Sequence, residues 1–117
     1  MEKTVIETQL LYDKLQEIND IYDKTRQTQE EYDFYEVVEP FANEVKQLSE
    51  EWLRSIKETI SLQKGYIYGE KQLDQVVDNM CQLSVQAFHY KSSYNRFKSY
   101  VQSTKFLLST LERQLKS

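Results

Sequence analysis

Leu11, Leu15, Ile18 and Tyr22 fall four, three and four residues apart, the repeat that places side chains on one face of an α-helix. The run opens at "TVIE", whose Thr4 and Glu7 have the S/T-x-x-E form of a capping box, and it predicts a first helix over about 4–27. The polar stretch "TRQTQEE" carries no apolar stripe and holds a second capping pattern at Thr28 and Glu31, so the first connection is placed there. Phe34, Val38, Phe41, Val45, Leu48 and Trp52 then resume the rhythm, and Ile56 and Ile60 extend the same face, predicting a second helix over 33–63. Pro40, the only proline, lies inside that run. The stripe crosses it in phase, which predicts a kink rather than a stop. Proline costs about 3 kcal/mol in a helix interior, and burial of Phe34, Val38 and Phe41 at about 1.5–3 kcal/mol each offsets it. A short helix to Val38, followed by one with Pro40 in its first turn, is the other reading.

The only two glycines, Gly65 and Gly69, bracket Tyr66, Ile67 and Tyr68 and mark the clearest loop in the chain. After it come Leu73, Val76, Met80, Leu83, Ala87 and Tyr90, and the same alternation continues through Tyr94, Phe97, Val101, Thr104, Leu108, Leu111 and Leu115. Read without a break, this is one helix over about 70–116, roughly 70 Å long at 1.5 Å per residue, which needs a second chain to cover it. "HYKSSYN" interrupts the helix-forming composition and offers Ser92 or Ser93 as an N-cap, so helices over 70–90 and 93–116 are the better fit. Four rods of similar length then close on one core. The predicted fold is all-α, an up-and-down four-helix bundle spanning 1–117 as a single domain, with its second helix kinked at Pro40.

Composition sharpens this picture. Hydrophobic residues make up 39% of the chain and aromatics 13%, so much of the core must be built from rings. No stretch approaches the roughly 18 consecutive apolar residues of a membrane span, and the N-terminus lacks the apolar run of a signal peptide. A soluble cytoplasmic protein is expected, and the lone Cys81 fits a reducing compartment and reads as a small packing residue.

The order and spacing of "YDFYEVVEP", of Trp52 a dozen positions after Pro40, of "VVDNM" and of "NRFKSYVQST" resembles the YppE-like family of small helical proteins from bacilli and related Gram-positive bacteria. The resemblance covers about residues 31–115, and "GYIYG" departs from the family pattern in the second loop. It implies an up-and-down four-helix bundle with a turn near residue 91. It implies no activity, cofactor or catalytic residue.

The residues themselves call for no cofactor. A di-iron bundle needs E-x-x-H pairs on two helices, and His89, the only histidine, is preceded three positions earlier by Gln86. One cysteine and one histidine make no zinc site, and neither a Gly-rich phosphate loop nor a nucleophile elbow is present. His89 sits just off the apolar stripe and reads as a solvated side chain.

Charge is uneven: residues 1–88 carry 9 basic and 18 acidic side chains, and residues 89–117 carry 6 and 1. Lys91, Lys98 and Lys105 recur at sevens beside the core stripe. They fit either a nucleic-acid face or packing against the acidic second helix, and the acidic total of −4 favours packing. In an up-and-down bundle the connections near 28–32 and 90–93 share one end, and ten of the fifteen aromatics fall within 22–41 or 88–100. One account has the kinked start of helix two fold over and plug this end. A sharper one adds that Tyr32, Asp33, Tyr35, Tyr90 and Arg96 form a protein-binding patch there. The sequence therefore predicts a non-enzymatic protein-interaction module, monomeric or weakly dimeric, with a protein partner and no membrane or nucleic-acid role. A small-molecule binder or enzyme with a pocket near Pro40, and a nucleic-acid-associated protein using the basic last helix, are the alternatives.

Overall fold

The computed structural model describes the backbone of residues 2–62 and 70–116 and the side chains of 2–59 and 71–116. The glycine-bounded loop with Tyr66 and Tyr68, and the side chain of Ile60, lie outside the described residues. Four α-helices follow one another: α1 (Glu2–Thr28), α2 (Glu39–Leu62), α3 (Glu70–Gln86) and α4 (Tyr94–Lys116), with a π-helical turn, Phe34–Val38, leading into α2. Each helix packs on its sequence neighbours, and α1 also packs on α4. The final third is thus two helices, and no long unbroken rod forms.

The stripes do what their spacing predicts. Leu11, Leu15, Ile18 and Tyr22 of α1, Val45, Trp52 and Ile56 of α2, Leu73, Val76, Met80 and Leu83 of α3, and Phe97, Val101, Leu108 and Leu111 of α4 are buried in one continuous core. Threonines extend the same rows. Thr4, Thr8, Thr25, Thr59 and Thr104 are buried, and the Thr8, Thr25, Thr59 and Thr104 hydroxyls donate to carbonyls four residues back, at 2.7–3.0 Å. A hydroxyl satisfied within its own helix can face an apolar interior without leaving an orphaned polar group.

The helix ends differ from the capping patterns read in the sequence. Thr4 lies inside α1, where its hydroxyl meets that of Thr59 at 3.0 Å. The cap of the second helical stretch is Asp33 rather than Thr28, its carboxylate accepting the Glu36 N–H at 2.8 Å. α1 stops without a glycine: Gln29 takes φ 55°, and its N–H reaches the Thr25 carbonyl at 2.7 Å. α3 ends at Gln86 instead of running to 90, and Ser93 caps α4, as expected, accepting from Arg96 N–H at 3.4 Å.

Pro40 combines both readings and corrects one. The helical course passes it, yet it occupies the first turn of α2, and the turn before it is wide: Val38 N–H reaches Asp33 O at 3.3 Å and Glu39 N–H bonds to Phe34 O, both five residues back. Proline has no N–H to give, and its ring excludes the carbonyl four residues earlier, so the chain widens into i→i−5 pairing. A widened turn changes the angular count. Phe34, predicted on the buried face, is therefore swung out of phase and is 48% exposed, while Val38 is buried at 1%.

Candidate functional site

The 29–33 and 87–93 connections meet at one end of the bundle, as the topology requires. Early termination of α3 makes this possible. Phe88 and His89 N–H groups bond to Val85 and Gln86 carbonyls at 3.2 and 3.0 Å, turning the chain so that Phe88 points back into the mouth. Tyr32 and Phe41 each meet the Phe88 ring edge-on, with centroids 5.2 and 5.6 Å away. Phe88 is the plug, 7% exposed, where the start of helix two was expected to close this end, and Phe34, expected on the buried stripe, packs edge-on against Tyr35 at the surface.

Beside the plug lies a cleft of about 300 Å³, walled by the rings of Tyr32, Phe88 and Tyr90, with Glu30, Glu31, His89 and Lys91 around it. Pro40 is exposed and is not among the residues that line this cleft. Of the five residues predicted as a patch, Tyr32 and Tyr90 are brought together in this cleft. Asp33 follows Tyr32 directly but is committed to its cap. Tyr35, 77% exposed, sits on the wide turn beyond it. Arg96 is exposed on the first turn of α4 and lines no part of the cleft, because α4 starts beyond the turn that carries Tyr90.

A second set of rings seals the α1–α4 seam at the same end. Tyr22 stacks on Phe97 at 3.8 Å and its hydroxyl donates to the Ser92 carbonyl at 2.8 Å. Arg26 reaches both the Tyr22 hydroxyl and the Ser92 carbonyl at 3.2 Å, with its guanidinium 5.2 Å from the Tyr94 ring centre. Tyr94, predicted on the buried stripe, is half-exposed and serves as that outer wall. Lys98 joins Asp23 and Asn19 at 2.7 Å each, and Lys105 lies 5.9 Å over Tyr12. Lys98 and Lys105 thus face α1 rather than the acidic second helix, because α4 packs on α1. Lys91, the first of the series, sits 5.8 Å over Tyr90 at the cleft rim.

The two connecting segments are acidic, while Arg26, Arg96 and Lys98 place positive charge on the adjoining α1–α4 seam. Residues 30–39 supply five carboxylates and no base, and residues 87–93 supply Lys91 alone, a formal charge of −4 with His89 neutral. Among the described residues no ion pair engages Glu30, Glu31, Asp33, Glu36 or Glu39. Asp33, Glu36 and Glu39 stand at a helix start, where the exposed N–H groups favour negative charge. Glu30 and Glu31 precede the cap and have no such role. Far from the mouth, burial pushes the half-buried Cys81 thiol up, aided by Glu50, so it stays protonated at neutral pH, as a packing residue should.

Among the described residues no helix is long and apolar enough to cross a membrane. A solved structure of a protein of unknown function from Listeria innocua superposes with a TM-score of 0.91 at 29% identity, covering 97% of this chain and 90% of that one. The crystal structure of YppE from Bacillus subtilis does so with 0.91 at 21%, over 98% and 94%. A Staphylococcus aureus domain of unknown function follows with 0.86 at 17%, over 96% and 95%. In sequence, uncharacterized protein YppE of Bacillus subtilis is 22% identical over 116 residues, 98% of this chain and 94% of that protein. Residues 8–115 match the bacterial domain of unknown function DUF1798, and with the YppE-like resemblance thereby borne out, the chain belongs to the DUF1798 family.

Proposed function

We propose that this chain is a non-enzymatic, cytoplasmic protein-interaction module whose working surface is the aromatic mouth of the bundle. The observation that carries this reading is the wide turn before Pro40. It holds Tyr35 at 77% and Phe34 at 48% exposure, next in sequence to residues of a ring-walled cleft. Large rings left in water on a hydrogen-bonded turn forgo the burial that the rest of the chain achieves, and tyrosine on a fixed backbone is the side chain that interface centres favour. The nucleic-acid alternative is weakened by the same geometry. Lys98 is already held by Asp23 and Asn19, so lending it to a phosphate would strip two groups of their partner.

The test is site-specific photo-cross-linking in the host cell, with a photoreactive phenylalanine replacing Tyr35 or, as a control further along α4 from the mouth, the exposed Phe106. Discrete adducts with another protein from position 35 and none from position 106 are expected. Adducts from both positions alike, or from neither, would remove the mouth as the working surface.

A further inference from the structure

We infer that the cleft receives a basic side chain, Arg or Lys, from a segment of the partner protein. The inference rests on the mouth being the interaction surface and adds the chemistry of what enters it. Three independent features converge. The walls are rings: Tyr32, Phe88 and Tyr90 surround a space of about 300 Å³, enough for a guanidinium or ammonium and its alkyl stem. The rim carries Glu30 and Glu31, carboxylates that belong to no ion pair among the described residues and that no helix start requires. The chain's own Lys91 already places its ammonium 5.8 Å above the Tyr90 ring, and Arg26 and Lys98 lie over Tyr22 and Tyr94 in the adjoining seam. Tyr22, Tyr90 and Tyr94 at this end thus each already lie within reach of a cation.

The cleft lined by Lys3, Glu7, Glu51, Arg54, Ser55 and Glu58 is a useful contrast, since it carries both signs of charge and no ring. A cation there would meet Lys3 and Arg54. The mouth cleft's own lining, Glu30, Glu31 and Lys91, carries the same net charge of −1 as this one, so what sets it apart is its three aromatic residues, with Asp33, Glu36 and Glu39 adding negative charge further along the chain. Lys91 has a defined place in this scheme. It is the resident competitor, holding the Tyr90 face until an incoming cation replaces it. Removing Lys91 therefore tightens binding while removing Glu30 and Glu31 loosens it, a pair of opposite signs that apolar docking does not produce.

The experiment is an amide-resolved NMR titration of the full chain with two capped peptides. One is Gly-Lys-Ala-Arg-Ala-Lys-Gly, and the other has its three cations replaced by glutamine. The basic peptide should move the amides of Glu30–Tyr32 and Phe88–Lys91, and the neutral one should leave them in place. Glu30→Gln and Glu31→Gln should each weaken binding roughly two- to fivefold, and Lys91→Gln should strengthen it by a similar factor. All three side chains are exposed, so the folded spectrum elsewhere should be unchanged. Equal shifts from both peptides would overturn the cation inference and leave the interaction surface standing. Arginine amide alone binding as well as the peptide would overturn it in favour of a small-cation site, and shifts that grow with protein concentration without peptide would do so in favour of a second copy as the occupant. No shift from either peptide at millimolar concentration would also overturn the inference, while the cross-link from position 35 judges the surface itself.

Discussion

Trp52 and Thr8 form the most consequential polar contact in the core, and its contribution can be isolated. Both residues are fully buried, and the indole N–H donates to Thr8 Oγ1 at 2.9 Å while the Thr8 hydroxyl donates to the Thr4 carbonyl at 2.7 Å. Thr8→Val preserves shape. It leaves the Thr4 carbonyl with its ordinary helical N–H partner, so the one group orphaned is the indole N–H. A buried donor without a partner costs about 1–3 kcal/mol. Trp52→Phe removes the donor and opens a void, and adding Thr8→Val to it orphans nothing. The cycle should therefore show Thr8→Val destabilising wild type by about 1–3 kcal/mol and the Trp52→Phe background by a few tenths, a coupling of at least about 1 kcal/mol. In urea, with a slope of about 1–3 kcal/mol per molar for a domain of this size, the first effect moves the midpoint by roughly 1 M. An equal drop in both backgrounds would refute the assignment, because the loss would then belong to the threonine's packing and not to the indole.

Two further outcomes follow from the structure. Pro40→Ala restores an N–H and removes the ring, so the wide turn should close toward α-helical pairing and swing residue 34 inward. With Phe34→Trp as reporter, emission should shift to the blue and acrylamide quenching should fall, and unchanged quenching would show that the turn does not depend on the proline. The Glu112 carboxyl is held below the usual carboxylate range by the hydrogen bond from Gln9 and then by Lys116. A depressed carboxyl pKa stabilises the fold above its unfolded value of about 4.3 and loses that contribution as pH falls through the folded value. The advantage of wild type over Glu112→Gln in urea midpoint should accordingly be present at pH 7 and absent near pH 2.

Helix count, order and core were legible in the sequence because burial follows a period that a list of apolar positions reveals. Thr4, Thr8 and Thr25 were missed although they continue the rhythm of Leu11, Leu15, Ile18 and Tyr22 in both directions. Thr104 was read into its stripe because apolar positions flank it, whereas these three lie past the ends of theirs, and their hydroxyls are satisfied by a carbonyl four residues back or, for Thr4, by Thr59. Phe34 was misplaced for a different reason. Counting by 3.6 cannot register a turn paired at five, and the signal that could have shown it was Pro40 itself, six residues downstream. Of the proposed patch, Tyr32 and Tyr90 come together in one cleft because topology alone joins their connections. Arg96 stands apart from that cleft because the length of the turn after α3 decides which residues reach it. The partners of Arg26 and Lys98 depend on which helix neighbours α4, a matter of three-dimensional packing that charge counts along the chain do not contain.

The two ends of the bundle resolve the same problem differently. At the end holding Thr4 and Thr59 the polar groups are inside: hydroxyls chain from Thr59 through Thr4, and Trp52 joins through Thr8, all of them buried. At the mouth the rings face one another across a cleft and the charges stand outside it. Phe88 and Phe41 hold that end shut, whereas Glu30, Glu31 and Lys91 take no part in the core. On the reading proposed above, the rim charges that select a partner are separate from the core, while Phe88 both plugs the mouth and lines the cleft. Charge at the rim can be reversed without disturbing packing, since an exposed carboxylate without a partner contributes little to folding. If the mouth is the binding surface, as proposed, its choice of partner can change through two or three rim positions while the bundle beneath stays the same, and exchanging those charges is the way to look for it.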